Sequence, residues 1–170
     1  MPIENIKIRR AEPDDYLAVH EMFTSPDVYE GTMQLPYPSR ELWRKRVGEA
    51  PENFFYLVAV VDERVVGMLH IETFPNRPRR RHVGRIGISV AAEWQGKGVG
   101  TALMAAAVDL SDNWLNLTRL ELEVYADNAA GIRLYEKLGF VYEGTLRQHA
   151  FRNGKYVDSN VMGRLRPAKE

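Results

Sequence analysis

Seven residues limit what this chain can fold into more than any others: Gln95-Gly96-Lys97-Gly98-Val99-Gly100-Thr101. They lie between a β-branched, apolar run, Val83 to Val90 (VGRIGISV), and apolar positions 99, 103, 106, 107, 110 and 114, which recur at helical spacing. A strand-to-helix turn with three alternating glycines lets the backbone approach a ligand closely and aims several N–H groups one way. The positive end of the following helix and the charge of Lys97 add to that pull, so the segment reads as a cradle for a phosphate or pyrophosphate. Its spacing is neither the GxGxxG of a dinucleotide fold nor the GxxxxGK[ST] of a Walker loop. The alternative is a glycine-rich connector that holds nothing.

The rest of the chain alternates short strands with helices. Ile6 and Ile8 suggest a strand over residues 4 to 10, and Pro13-Asp14-Asp15 opens a helix. Residues 25 to 38 hold three prolines and a glycine and read as a long irregular loop; Ser39 then caps a second helix running to about Val47. Phe54 to Val61 (FFYLVAVV), a turn at Asp62-Glu63-Arg64 and Val65 to Phe74 make a hairpin. Pro75 to His82 (PNRPRRRH) is an exposed loop. Thr118 to Tyr125 alternates, with Leu120, Leu122 and Val124 on one face and Glu121, Glu123 and Tyr125 on the other. Asn128 caps a helix through Leu138 that stops at Gly139, and two final strands flank the Asn153-Gly154 turn. This order predicts an α/β (α+β) fold: one mixed, mostly antiparallel sheet with helices on both faces. A length of 170 residues predicts a single domain, 1–170.

Composition removes several kinds of chemistry. There is no cysteine, hence no disulfide, thiolate nucleophile or iron–sulfur cluster. The four histidines, His20, His70, His82 and His149, are scattered without zinc-site spacing, so no metal is expected. Lys plus Arg equal Asp plus Glu at 23 each, which argues against a nucleic-acid partner. The N-terminus has no apolar signal region, and no apolar run approaches the ~20 residues of a membrane helix. A cytoplasmic chain without a membrane partner is the expectation.

Two linked motifs give the chain a family resemblance. IGISV followed by QGKGVGTALM matches a strand and then the pattern Q/RxxGxG/A; Leu122 to Phe140, LEVYADNAAGIRLYEKLGF, matches LxV, Asn, a helix and LYxKxGF. In that order and at that spacing they resemble the GNAT superfamily of acetyltransferases, with its seven-stranded sheet. Within it the chain is most similar to bacterial small-molecule enzymes, among them L-amino-acid N-acetyltransferases, on the pieces VYEGTMQLPYPS, PRRRHVGRIGISV, DNWL and RNGKYVDSNVM.

The resemblance implies acetyl-CoA as cosubstrate, a small-molecule amine as acceptor and, by analogy, a homodimer. It implies that the backbone of Ile88, Ser89 and Val90 binds the pantetheine arm and the acetyl carbonyl. Gln95, Gly96, Lys97, Gly98, Val99, Gly100 and Thr101 would hold the pyrophosphate. Asn128 would contact the arm near its thiol end, the alternative being a plain helix cap, and Tyr135 would be the general acid, the alternative being a half-buried packing aromatic. Amine attack on a thioester also needs a base, since an alkylammonium is mostly protonated near neutral pH. Glu123 matches a glutamate position of some family members; Glu72, Glu121, His70 and His82 are substitutes. For the acceptor site Tyr29, Met33, Leu35 and Tyr37 offer an apolar wall, with His70 beside the third strand, and arginines among Arg77 to Arg81 offer a carboxylate or phosphate clamp. Without cysteine, direct transfer in a ternary complex is expected. The reading is an N-acetyltransferase acting on a free amino acid. A polyamine or protein N-terminus as acceptor, and a non-catalytic acyl-CoA sensor, are the alternatives.

Overall fold

The computed structural model describes residues 5–168. In chain order its elements are β1 (Lys7–Arg10), α1 (Tyr16–Met22), α2 (Pro26–Tyr29), α3 (Arg40–Trp43), β2 (Phe54–Val61), β3 (Arg64–Thr73), β4 (Val83–Val90), α4 (Val99–Asn113), β5 (Arg119–Tyr125), α5 (Ala129–Lys137), β6 (Val141–Arg152) and β7 (Lys155–Leu165). The strands form one seven-stranded sheet in the order β1-β2-β3-β4-β5-β7-β6. The pairs β1/β2, β2/β3, β5/β7 and β6/β7 are antiparallel and β4/β5 is parallel, so the sheet is mixed and mostly antiparallel as the sequence predicts. The β4/β5 ladder spans only Val83–Arg85, and Gly87–Val90 runs on past the last paired residue.

The chain packs as two compact units: residues up to Glu72 with Gly87–Val108, and Thr73–Ile86 with residues from Asp109 on. In the first, Val19, Phe23, Val28, Trp43, Val58 and Met68 are buried together, with Phe23 stacked on Trp43 at 4.5 Å between ring centres. Helix α4 packs closely on β3 at Gly67, where an added Cβ would lie 3.0 Å from both Val99 and Leu103. In the second, Leu120, Leu122, Phe140 and Met162 are buried, and the nearly buried Arg164 makes a two-pronged ion pair with Asp112, at 2.9 and 2.8 Å.

The structure corrects two local expectations and adds one contact. Residues 25–38 are not irregular throughout: Ser25 precedes one helical turn, α2, with Pro26 at its first position. The helix begun at Ser39, whose Oγ accepts from Leu42 N at 3.2 Å, becomes a wider π turn over Arg44–Gly48, closed by Glu49 N donating to Arg44 O. Tyr125 shares a strand face with Glu121 and Glu123 but is buried, with the Arg152 guanidinium 4.7 Å over its ring. The start of the expected strand over 4 to 10 lies partly outside the described residues.

Candidate active site

In the first unit, β4 leads through a single 3₁₀ turn, Ala92–Trp94, into the glycine loop and α4. Gly96 and Gly98 take φ of +71° and +92°, left-handed values that disfavour any residue with a Cβ. A Cβ on Gly96 would meet nothing within 4 Å, and one on Gly98 only Ile6 Cδ1 at 3.9 Å, so the side to which a Cβ would point is open. Gln95 braces the loop: its Nε2 donates to Val90 O at 3.1 Å and to Asp27 O at 3.4 Å. Lys97 lies 5.3 Å over the Trp94 ring, Val99 is buried, and Gly100 and Thr101 open α4. Ile88, Ser89 and Val90 are each half-buried. A left-handed turn of this kind at a helix start suits an anionic group such as a diphosphate.

The same unit holds an aromatic cluster against β4. Tyr56 on β2 pairs with His70 on β3, and the His70 ring is 5.7 Å from both Phe54 and Tyr56. The imidazole lies on the backbone of Gly87, where a Cβ would fall on Cε1 and within 2.9 Å of Nε2. Burial pushes the His70 imidazole down to about 4, and the charge of Arg46 acts the same way. Burial pushes the Tyr56 phenol up, with Arg46 pulling it back and Glu72 adding to the rise. Arg46 Nη1 donates to Gln34 Oε1 at 2.7 Å, and its guanidinium lies 5.2 Å over the Trp43 ring. Of the expected apolar wall, Tyr29 packs against the core, while Met33, Leu35 and Tyr37 are exposed, Tyr37 almost completely.

In the second unit Asn128 caps α5, its Oδ1 accepting from Gly131 N at 2.9 Å. Tyr135 is buried against Phe140, with ring centres 6.2 Å apart. Burial raises its phenol to about 12, which keeps it protonated and able to donate. Glu123 is exposed and has His149 Nε2 3.7 Å from its Oε2, a neighbour that sequence reasoning missed because residues 123 and 149 lie on different strands. Glu121 is already engaged by Arg80, Arg85 and Arg119, which leaves it poorly suited as a base. Arg77 and Arg80 of the arginine loop and Arg85 of β4 surround the Phe74 ring at 4.8–5.6 Å, and Arg81 Nε donates to Pro75 O. His82 is exposed. Among the described residues no group of three or more His, Asp or Glu is placed to hold a metal ion, and no helix is long and apolar enough to cross a membrane.

A seven-stranded mixed sheet with a glycine turn between a strand and a helix fits an acyl-CoA-dependent acyltransferase, and the chain belongs to the acetyltransferase (GNAT) family, whose model matches residues 16–140. It is an N-acetyltransferase by that membership. It is 43% identical over 96% of its length to the L-amino acid N-acetyltransferase AaaT of Escherichia coli K12, covering all of that protein. A GNAT-family acetyltransferase structure from Streptococcus pneumoniae superposes with a TM-score of 0.82 at 27% identity, covering 95% of this chain and 99% of that one. The spermidine N-acetyltransferase of Vibrio cholerae, crystallised with CoA and spermine, gives a TM-score of 0.81 at 27% identity over 94% of this chain and 95% of its own.

Proposed function

We propose that this single catalytic domain, residues 1–170, transfers the acetyl group of acetyl-CoA directly to the α-amino group of a free amino acid. The observation that carries the cosubstrate is the open cradle at Gly96 and Gly98; the full-length similarity to an L-amino acid N-acetyltransferase supports the acceptor. The N–H groups of Gln95–Thr101 hold the diphosphate, Ile88–Val90 offers its backbone edge to the pantetheine arm, and the Asn128 amide donates near the sulfur. Bound acetyl-CoA supplies an activated thioester.

Glu123 takes one proton of the incoming ammonium, directly or through a water; the C–N bond then forms, the C–S bond breaks, and the second proton that the new amide nitrogen sheds passes to the departing sulfur, which leaves as the CoA thiol. Tyr135 donates a hydrogen bond to the departing sulfur. A phenol near 12 lies well above an ordinary thiol near 8.5, so stabilisation of the thiolate rather than full proton transfer is its principal contribution. The same reading has the enzyme work in the cytoplasm, and as a homodimer, the latter by analogy with the family.

The test is CoA-thiol release from acetyl-CoA with polar and apolar amino acids, spermidine and a short peptide. Release confined to amino acids is the expected result. Tyr135→Phe lowers kcat about 10- to 100-fold while acetyl-CoA affinity holds. Equal kcat in the two proteins removes Tyr135 from the chemistry, and turnover confined to spermidine removes the acceptor assignment.

A further inference from the structure

We propose that Arg46 is the residue that selects the acceptor, holding its carboxylate while disfavouring polycationic amines. The proposal rests on the amino-acid reading above and adds to it a recognition group that neither the motifs nor the relatives indicate. Two arginines two residues apart on the same π turn are treated differently. Arg44 is committed to Glu41 and Glu49, on its own stretch of chain. Half-buried Arg46 has a neutral amide oxygen, Gln34 Oε1, and the face of Trp43, and among the described residues no carboxylate pairs with it. A guanidinium carries five N–H donors in a planar fork suited to two-pronged carboxylate binding. A partly desolvated cation without a counter-ion is unfavourable until an anion arrives, which is the condition for tight anion recognition.

The surroundings give the direction of the acceptor. The charge of Arg46 reaches Tyr56 and His70, a cross-strand pair, and His70 lies on Gly87, one residue before Ile88. An α-amino acid gripped by its carboxylate at Arg46 would lie along this aromatic face toward the strand proposed to hold the acetyl carbonyl. His70, kept neutral, adds no second cation that would draw in other anions. Gln34 comes from the loop before α3, so the loop sets the direction of the guanidinium. The π turn that re-aims residues 44–48 is a helical irregularity common at functional sites. A spermidine-like acceptor would bring positive charge to the same place, where the fixed guanidinium repels it.

Three substrates separate the outcomes: the amino acid that the wild-type enzyme acetylates fastest, its carboxamide, and spermidine. Wild type, Arg46→Lys and Arg46→Met are compared by steady-state kinetics, with acetyl-CoA affinity and Tm measured alongside. The wild type should favour the acid over its amide. In Arg46→Met the acid-to-amide ratio of kcat/KM should fall about 10- to 100-fold, through KM of the acid. Arg46→Lys, which keeps charge but not the fork, should fall between, and the spermidine-to-acid ratio should rise. A wild type that favours the acid, with a ratio unmoved in Arg46→Met, overturns the clamp and leaves the amino-acid reading standing. A wild type that favours the amide or spermidine overturns that reading and the clamp with it. Equal loss on all three substrates, or a loss of acetyl-CoA affinity, makes Arg46 structural and overturns the selection role.

Discussion

Gly87 shows how one missing methyl group organises a site. It has no positive φ, so any L-residue suits its backbone; the constraint is the His70 ring resting on it, itself flanked by Phe54 and Tyr56. Gly87→Ala should therefore cost about 1–3 kcal/mol of stability as overpacking, readable by urea unfolding. Adding His70→Ala should recover part of that loss, and independent, additive effects in the double-mutant cycle would show that the two residues do not touch. His70 also makes stability depend on pH. Its folded value of about 4 is below the ordinary 6.5, so between those values the unfolded chain binds a proton that the native imidazole refuses. Stability should decline as pH falls from 6.5 to about 4, by about 3 kcal/mol from this residue alone, and level off below. His70→Gln should flatten that segment of a Tm-against-pH curve, and an unchanged slope would assign it to other groups.

Whole elements separate what a residue does for the fold from what it does for a ligand. Asn128 presents Oδ1 to the first turn of α5, which Asp does equally well, whereas only Asn keeps an Nδ2 donor. Asn128→Asp should hold Tm near wild type and weaken acetyl-CoA binding; Asn128→Ala should also lose about 1 kcal/mol of stability. Calorimetric titration and thermal melts distinguish them, and unaltered affinity in Asn128→Asp would leave the residue a cap only. The same division explains what was legible in the chain. The bounds of β2 and β4 follow from apolar runs that end at turn residues, and the cap and stop of α5 follow from Asn128 and Gly139. Local signals of that kind also revealed the cradle. The turn Pro26–Tyr29 was hidden by a proline- and glycine-rich composition that equally describes a loop, although Ser25-Pro26-Asp27 is a good helix start. Arg46 could not be read at all, because RKRVG looks like a solvated face until the chain brings Gln34 back to it. Nor does strand parity reveal that Arg152, far along the sequence, covers Tyr125.

For the molecule as a whole, neither compact unit is a continuous stretch of chain. Strand β3, strand β4 and helix α4 each run from one unit into the other. Loosening one unit frees the ends of elements that the other uses, so unfolding should be all-or-none. Trp114 fluorescence, in a Trp43→Phe/Trp94→Phe background, reports the second unit; far-UV circular dichroism reports both. Their urea midpoints should coincide, and two separated transitions would mean that the units melt independently.

The interleaving also sets an order of events on the ribosome. By the time Val108 has emerged, every segment of the first unit exists, but of the second only Thr73–Ile86 has been made. The parallel partner of Val83–Arg85 begins at Arg119, and the long β6/β7 hairpin is synthesised later still. Until then one flank of β4 is an apolar strand with no neighbour to bond to, the kind of edge that invites pairing with another chain. A slow translation step between Val108 and Arg119 would lengthen that exposure, whereas rapid passage through α4 would shorten it.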